Sequence, residues 1–292
     1  MMSDPIRANK GDLIIGAVAA AAVIGSGLMM GQLRSIAPDF ASIAAPIYGA
    51  AEIVSQNAVT PDARNDLPAI ASCPISLELM DEGRATIGGT LLSPCNPSQD
   101  LVIAHAGMVI SAKTLASGAL FFSLPALEHP AQVDIRFSSG EVASAEVAIP
   151  DVRSVQRVAV QWPDADGFTL HAFENGAEFG AAGHIWAQNP ALPDLGAALR
   201  SGYLTALGDA STAMPLMAQV FTYGPAAQTD VQLEAAVTDN TCDSEVMGDI
   251  IAANFGQVSA TEVSVAMPDC SAVGEFVQLG AIRRDQDLAL LN

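Results

Sequence analysis

The sequence predicts a mainly β protein: an N-terminal transmembrane helix, then an immunoglobulin-like β-sandwich and a second β-rich region. Three observations carry this. Leu13 to Met30 is an uncharged apolar run, the chain from Cys73 onward alternates short apolar stretches with turn residues, and four cysteines fall into two separated pairs. The expected boundaries are 1–12 for a cytoplasmic N-terminus, 13–31 for the anchor, 32–70 for a linker, 71–152 for the sandwich and 153–292 for the second region.

In the first element, LIIGAVAAAAVIGSGLMM, Ser26 is the only polar side chain. As a helix it spans roughly 27 Å, close to the hydrocarbon thickness of a bilayer, and satisfies its own backbone there. Arg7 and Lys10 precede it and Arg34 follows, so the positive-inside rule places the N-terminus in the cytoplasm and the remainder outside. The competing reading is a cleaved signal peptide, but the run is long for a signal h-region and no A-x-A site follows it directly. A lipobox-like Ile70-Ala71-Ser72-Cys73 lies too far downstream for lipoprotein processing. Gly27 and Gly31 form a GxxxG pair that would let two such helices approach closely, as in a homodimer.

Residues 32–70 are poor in charge, and Pro38, Pro46, Pro61 and Pro68 argue against one long helix. From Cys73 the alternation of Ile75, Leu77 and Leu79 opens a β pattern. It continues through Arg84–Leu92, LVIAHAGMVIS, GALFFSLPAL, VDIRFSS and VASAEVAIP, with breaks at Gly118, Pro125, Pro130, Ser139-Gly140 and Pro150. In the second region RVAVQW and FTLHAF flank Pro163–Gly167, which reads as a hairpin connection. Residues 192–201 read as a helix capped by Asp194, followed by strand-like YLTALG, MAQVFTY, VQLEAAVT, TEVSVAM and FVQLGAI.

Cys73, Cys95, Cys242 and Cys270 lack the short CxxC spacing of zinc or thioredoxin-like sites. Of three possible connectivities the local one is expected, Cys73–Cys95 and Cys242–Cys270, which would persist in an oxidising periplasm. Charge agrees with export. Residues 1–34 carry a net +1, which leaves −21 of the total −20 on the remainder. So acidic a body excludes general nucleic-acid binding and disfavours anionic membrane surfaces.

The densest polar and aromatic cluster is FTLHAFENGAEFGAAGHIW, Phe168 to Trp186. His171, Glu174, Glu178, His184 and Trp186 are its candidate recognition residues. Two imidazoles and a carboxylate could also meet zinc, although the spacing is not HExxH. Packing and surface recognition are the readings the spacing favours, so no catalytic residue, metal or cofactor is assigned. Asp164 and Asp166 offer oxygen to calcium, but no EF-hand loop surrounds them and Asp-Gly is itself a turn signal. There is no G-x-S-x-G elbow, Walker loop or Rossmann fingerprint. His105 and His129 stand in separate contexts, and Trp162 with Trp186 could line a sugar-binding face.

VAVQW, LHAF, GHIW, LGDAS and AMPDC, in this order, resemble an alphaproteobacterial family of exported proteins of uncertain function, over most of residues 70–280. Its members are often labelled translocase. The chain departs from the family pattern at Phe173-Glu174-Asn175, where an Arg-Glu-Phe type stretch is expected. The resemblance carries no catalytic residue, and a translocase label fits poorly, because one membrane helix forms no channel and no nucleotide site is present. The expected function is a single-pass inner-membrane protein with a periplasmic β ectodomain. It would act as a non-enzymatic interaction, scaffold or accessory assembly subunit for other inner-membrane or periplasmic proteins, through strand edges or the 173–186 loop. The alternatives are a secreted or tethered metal-dependent enzyme and a glycan-binding module using the 171–186 loop.

Overall fold

The structure, a computed structural model, describes residues 73–193, 199 and 201–282, all within one compact unit. The apolar run with its Gly27–Gly31 pair, the 32–70 linker and most of the expected 192–201 helix lie outside the described residues. Among the described residues no helix is long and apolar enough to cross a membrane. The described chain is mainly β, built of antiparallel sheets.

Seven strands form the first half: β1 (Ser76–Gly83), β2 (Thr86–Leu92), β3 (Asp100–His105), β4 (Met108–Lys113), β5 (Ala119–Pro125), β6 (Ala131–Phe137) and β7 (Val142–Val147). They make two sheets, ordered β1-β2-β5 and β4-β3-β6-β7. Strand alternation sends Ile87 and Leu91, Leu101 and Ile103, and Val133 and Ile135 into one core between them. LVIAHAGMVIS, read as one run in the sequence, folds as the β3–β4 hairpin. Ala106 and Gly107 turn it with φ of 49° and 86°, as a two-residue hairpin of this twist demands.

Nine further strands follow: β8 (Gln156–Pro163), β9 (Phe168–Glu174), β10 (His184–Ile185), β11 (Tyr203–Leu207), β12 (Leu216–Tyr223), β13 (Thr229–Ala236), β14 (Glu245–Asn254), β15 (Gln257–Ala266) and β16 (Phe276–Ile282). They make a five-stranded sheet, β11-β12-β8-β14-β15, and a four-stranded one, β10-β9-β13-β16. The expected hairpin at Pro163–Gly167 is corrected here: β8 and β9 belong to different sheets, so this connection crosses between layers. β14 escapes the sequence reading. Gly248 and Asp249 interrupt its alternation, and its remaining residues are apolar on both faces because both faces are covered.

The five-stranded sheet is a central layer. Val158, Val160, Trp162 and Phe221 point into the core shared with the four-stranded sheet, whereas Ala159, Ala218, Val220, Ile251 and Ala253 join the core of the first half. Polar side chains fasten the joint. Gln161 on β8 accepts from the Val109 N–H at 2.7 Å. Ser111 Oγ on β4 accepts from the Leu216 N–H at 3.1 Å. Arg157 is fully buried and donates to the carbonyls of Ala85 (2.8 Å) and Ala126, and to Thr222 Oγ1 (3.0 Å).

Both expected disulfides are present, with Cα separations of 5.6 Å for Cys73–Cys95 and 4.9 Å for Cys242–Cys270. Each closes the open mouth of a hairpin at a sheet edge, the first at β1–β2 and the second at β14–β15. An edge strand is bonded along one side only, so covalent closure there restrains the element most prone to fraying.

Candidate functional site

β9 alternates across its sheet. Phe168, Leu170 and Ala172 enter the core, which leaves His171 and Phe173 on the opposite face. That face is buried because the chain beyond Glu174 folds back over it. Asn175 and Gly176, with φ of 52° and 73°, begin the reversal, and His184 and Ile185 return as β10 opposite Phe173 and Ala172. Glycine at 176, 180 and 183 supplies the left-handed backbone the loop needs, with φ of 73°, 75° and 93°. Asn189 Nδ2 donates to the His184 carbonyl at 2.7 Å and pins the return.

The result is a ring cluster. His184 stacks on Phe173 with centroids 4.7 Å apart and planes 4° apart, and on Trp186 at 5.4 Å and 9°. Phe179 lies 4.5 Å from His184 and 5.2 Å from His171, yet it is 60% exposed. Such stacks add about 0.5–1.5 kcal/mol per pair beyond area burial.

Within the cluster the hydrogen bonds have one direction. The Gly180 N–H donates to His184 Nδ1 at 2.9 Å, which assigns the proton of the neutral ring to Nε2. That Nε2–H donates to His171 Nδ1 at 2.9 Å. The His171 proton is therefore on Nε2, which faces Glu234 Oε1 at 3.7 Å, too far for a direct hydrogen bond. Burial holds the His171 pKa down to about 4, helped by the neighbouring His184. Burial also lowers His184. Burial raises Glu234, against a hydrogen bond from Gln278 that lowers it. Both imidazoles are neutral at physiological pH.

Of the residues the sequence singles out, the structure unites His171, His184 and Trp186. Glu174 turns away to bind the Gly202 N–H and Ser201 Oγ (2.7 Å), tying the loop base to the start of β11. Glu178 is exposed at the loop rim. Phe173, Phe179 and Glu234 were missed. The two phenylalanines lie inside the same motif. Glu234 comes from β13, and its only sequence signal is an acid in the middle of the apolar stretch VQLEAAV.

The other candidates have local explanations. Asp166 accepts from Thr238 Oγ1 at 3.1 Å and Asn240 Nδ2 at 2.8 Å, fixing a loop-to-loop contact. Trp162 is buried in the core and shares no surface with Trp186, which corrects the expectation of a two-tryptophan sugar face. His105 is also buried. It donates from Nδ1 to the Gln132 carbonyl at 2.8 Å and accepts the Leu127 N–H on Nε2 at 2.8 Å. Among the described residues the one convergence of three metal-type donors is Cys242, Asp243 and Cys270, whose two sulfurs are bonded to each other. Compared with family models, with curated proteins and with solved structures, the chain matches none.

Proposed function

We propose that this chain is a single-pass inner-membrane protein with a periplasmic ectodomain that binds other envelope proteins without catalysis, as a scaffold or accessory assembly subunit. The observation that carries the reading is Phe179, a large aromatic 60% exposed on a loop immobilised by stacked rings and a hydrogen-bond chain. A rigid aromatic anchor loses little entropy on binding, which is why such residues dominate protein interfaces. The anchor and the orientation rest on the Leu13–Met30 run and its basic flank, and the compartment on two disulfides that an oxidising space preserves. The order β1-β2-β5 facing β4-β3-β6-β7 supports an immunoglobulin-like assignment for the first pair of sheets.

The test is extraction of the full chain from membranes in mild detergent, with mass spectrometry of what accompanies it and of its intact N-terminus. A reproducible envelope partner that is lost in Phe179→Ser supports the reading. A processed, soluble and partnerless protein overturns it.

One observation favours a second reading, a metal-assisted enzyme. His171 Nε2 is buried, has no hydrogen-bond partner and faces the buried carboxylate of Glu234. Stoichiometric zinc in the purified chain, lost in His184→Ala, would replace the scaffold reading with this one.

A further inference from the structure

We infer that the free edge of β15 is a docking site for an extended segment of a partner protein carrying a basic residue at its centre. This rests on the reading of the ectodomain as a protein-binding module, but it uses a surface remote in the fold from the ring cluster. β15 is ten residues long, QVSATEVSVA, with one charged side chain and neither proline nor glycine. It pairs with β14 without a bulge, from Glu245 opposite Ala266 to Asn254 opposite Gln257.

The register fixes which backbone groups are free. The Met267 N–H donates to the Ser244 carbonyl at 2.9 Å, so this pair is a hydrogen-bonded one. Antiparallel ladders alternate such pairs with open ones. Val265, Val263, Thr261, Ser259 and Gln257 therefore turn their N–H and C=O toward β14. The groups of Val258, Ala260, Glu262, Ser264 and Ala266 face outward.

Natural sheet edges carry devices against strand addition, and the other edges here show them. β1 has Glu78, Asp81, Glu82 and a bulge. β4 carries Lys113 and is fastened to β12 through Ser111. The Leu204 N–H on β11 is taken by the Pro190 carbonyl, and β16 has a register shift near Gly280. β5 is shorter and ends in Pro125. β15 has none of these beyond Glu262, and the Cys242–Cys270 bridge with the Phe255-Gly256 turn holds its hairpin in shape.

Charge selects the occupant. Glu262 lies directly opposite Asp249 on β14, and Glu245 stands on the same face opposite Ala266. Neither strand contains Lys or Arg. Like charges placed directly opposite are unfavourable, and a cation from an added strand relieves them. A second copy of this chain would instead bring another Glu262 to the same place, on a molecule of net charge −20. The edge thus fits an extended, centrally basic peptide segment of a different protein.

The probe is an end-blocked peptide about nine residues long, alternating Thr and Val with a central Lys, added to the full chain in detergent. Its control has Glu at the centre. Expected are slowed amide exchange at Val258, Ala260, Glu262 and Ser264, and binding about fivefold weaker for the Glu peptide. Ala260→Pro removes an outward N–H while sparing the β14 ladder, and should weaken the Lys peptide about tenfold with the melting temperature unchanged. No protection by saturating Lys peptide on the folded chain overturns the site. Equal binding of both peptides overturns the basic partner, and protection that rises with protein concentration alone assigns the edge to a second copy instead. An envelope partner retained by Ala260→Pro but lost by Phe179→Ser would sink the edge and leave the functional reading standing.

Discussion

Arg157 offers the sharpest test of how the two halves are joined. Burial lowers its pKa from 12.5 to about 10, with the Tyr203 side chain opposing the shift, so it remains charged at neutral pH. That displacement corresponds to a desolvation penalty of about 3 kcal/mol. Against it stand donations to the Ala126 and Ala85 carbonyls and to Thr222 Oγ1, each a charged hydrogen bond contributing about 1.5–3 kcal/mol. The balance favours the charged clamp. In Arg157→Met the stem volume is kept and the desolvation penalty disappears. Ala85 O still accepts the Ala126 N–H at 2.9 Å and the Thr222 hydroxyl can rotate, but the Ala126 carbonyl is stranded in the core. The expected loss is about 2–4 kcal/mol, a fall in melting temperature of roughly 5–15 °C for a described region of this size. Arg157→Lys should do little better than Met, because one ammonium cannot span acceptors on three elements. Urea titration followed by tryptophan fluorescence reads this directly. A Met variant as stable as the parent, or more so, would refute the reasoning and show that desolvation outweighs the hydrogen bonds, as it does for some buried ion pairs.

The remaining expectations concern pH, cross-links, packing and the loop. His105, His171 and His184 all have lowered folded pKa values, so below the unfolded value of 6.5 the unfolded chain binds protons that the folded chain refuses. Stability should therefore fall as pH drops from 6.5 toward 4, with about 1–2 kcal/mol from His171 after solvent screening. Glu234, raised in the fold, opposes this loss, and His171→Gln should flatten the melting-temperature profile across the same window. Replacing Cys73 and Cys95 by Ser should cost about 3 kcal/mol and speed amide exchange in β1 before the rest of the sheet, whereas unchanged exchange would deny the edge role. A Cβ on Gly248 would meet the Gln161 carbonyl oxygen at 2.3 Å and the Phe168 ring at 2.8 Å. Gly248→Ala should therefore cost about 1–3 kcal/mol, and an unaltered denaturation midpoint would show that the β8–β14 approach relaxes freely. Phe179→Ser should leave the melting temperature within about 2 °C while weakening partner recovery, since an exposed ring contributes little to folding.

The sequence alone determined what depends on neighbours along the chain. Period-two alternation marked β9, β12 and β13, because strand faces repeat every second residue whatever lies across the sheet. The cysteine pairing was legible for a similar reason: each pair brackets one hairpin, and short loops close at the least entropic cost. The motif from His171 to Trp186 was visible as a composition. Tertiary structure decided the rest. β14 was hidden because a strand covered on both faces loses its alternation, and the Pro163–Gly167 connection looked like a hairpin because turn chemistry cannot say which sheet receives the next strand. Glu234 reaches His171 only through the β9–β13 register, and the free edge of β15 exists only because no strand was placed beside it. Local residue preferences encode faces and turns, but which faces meet and which edges stay open depends on packing between segments far apart in the chain.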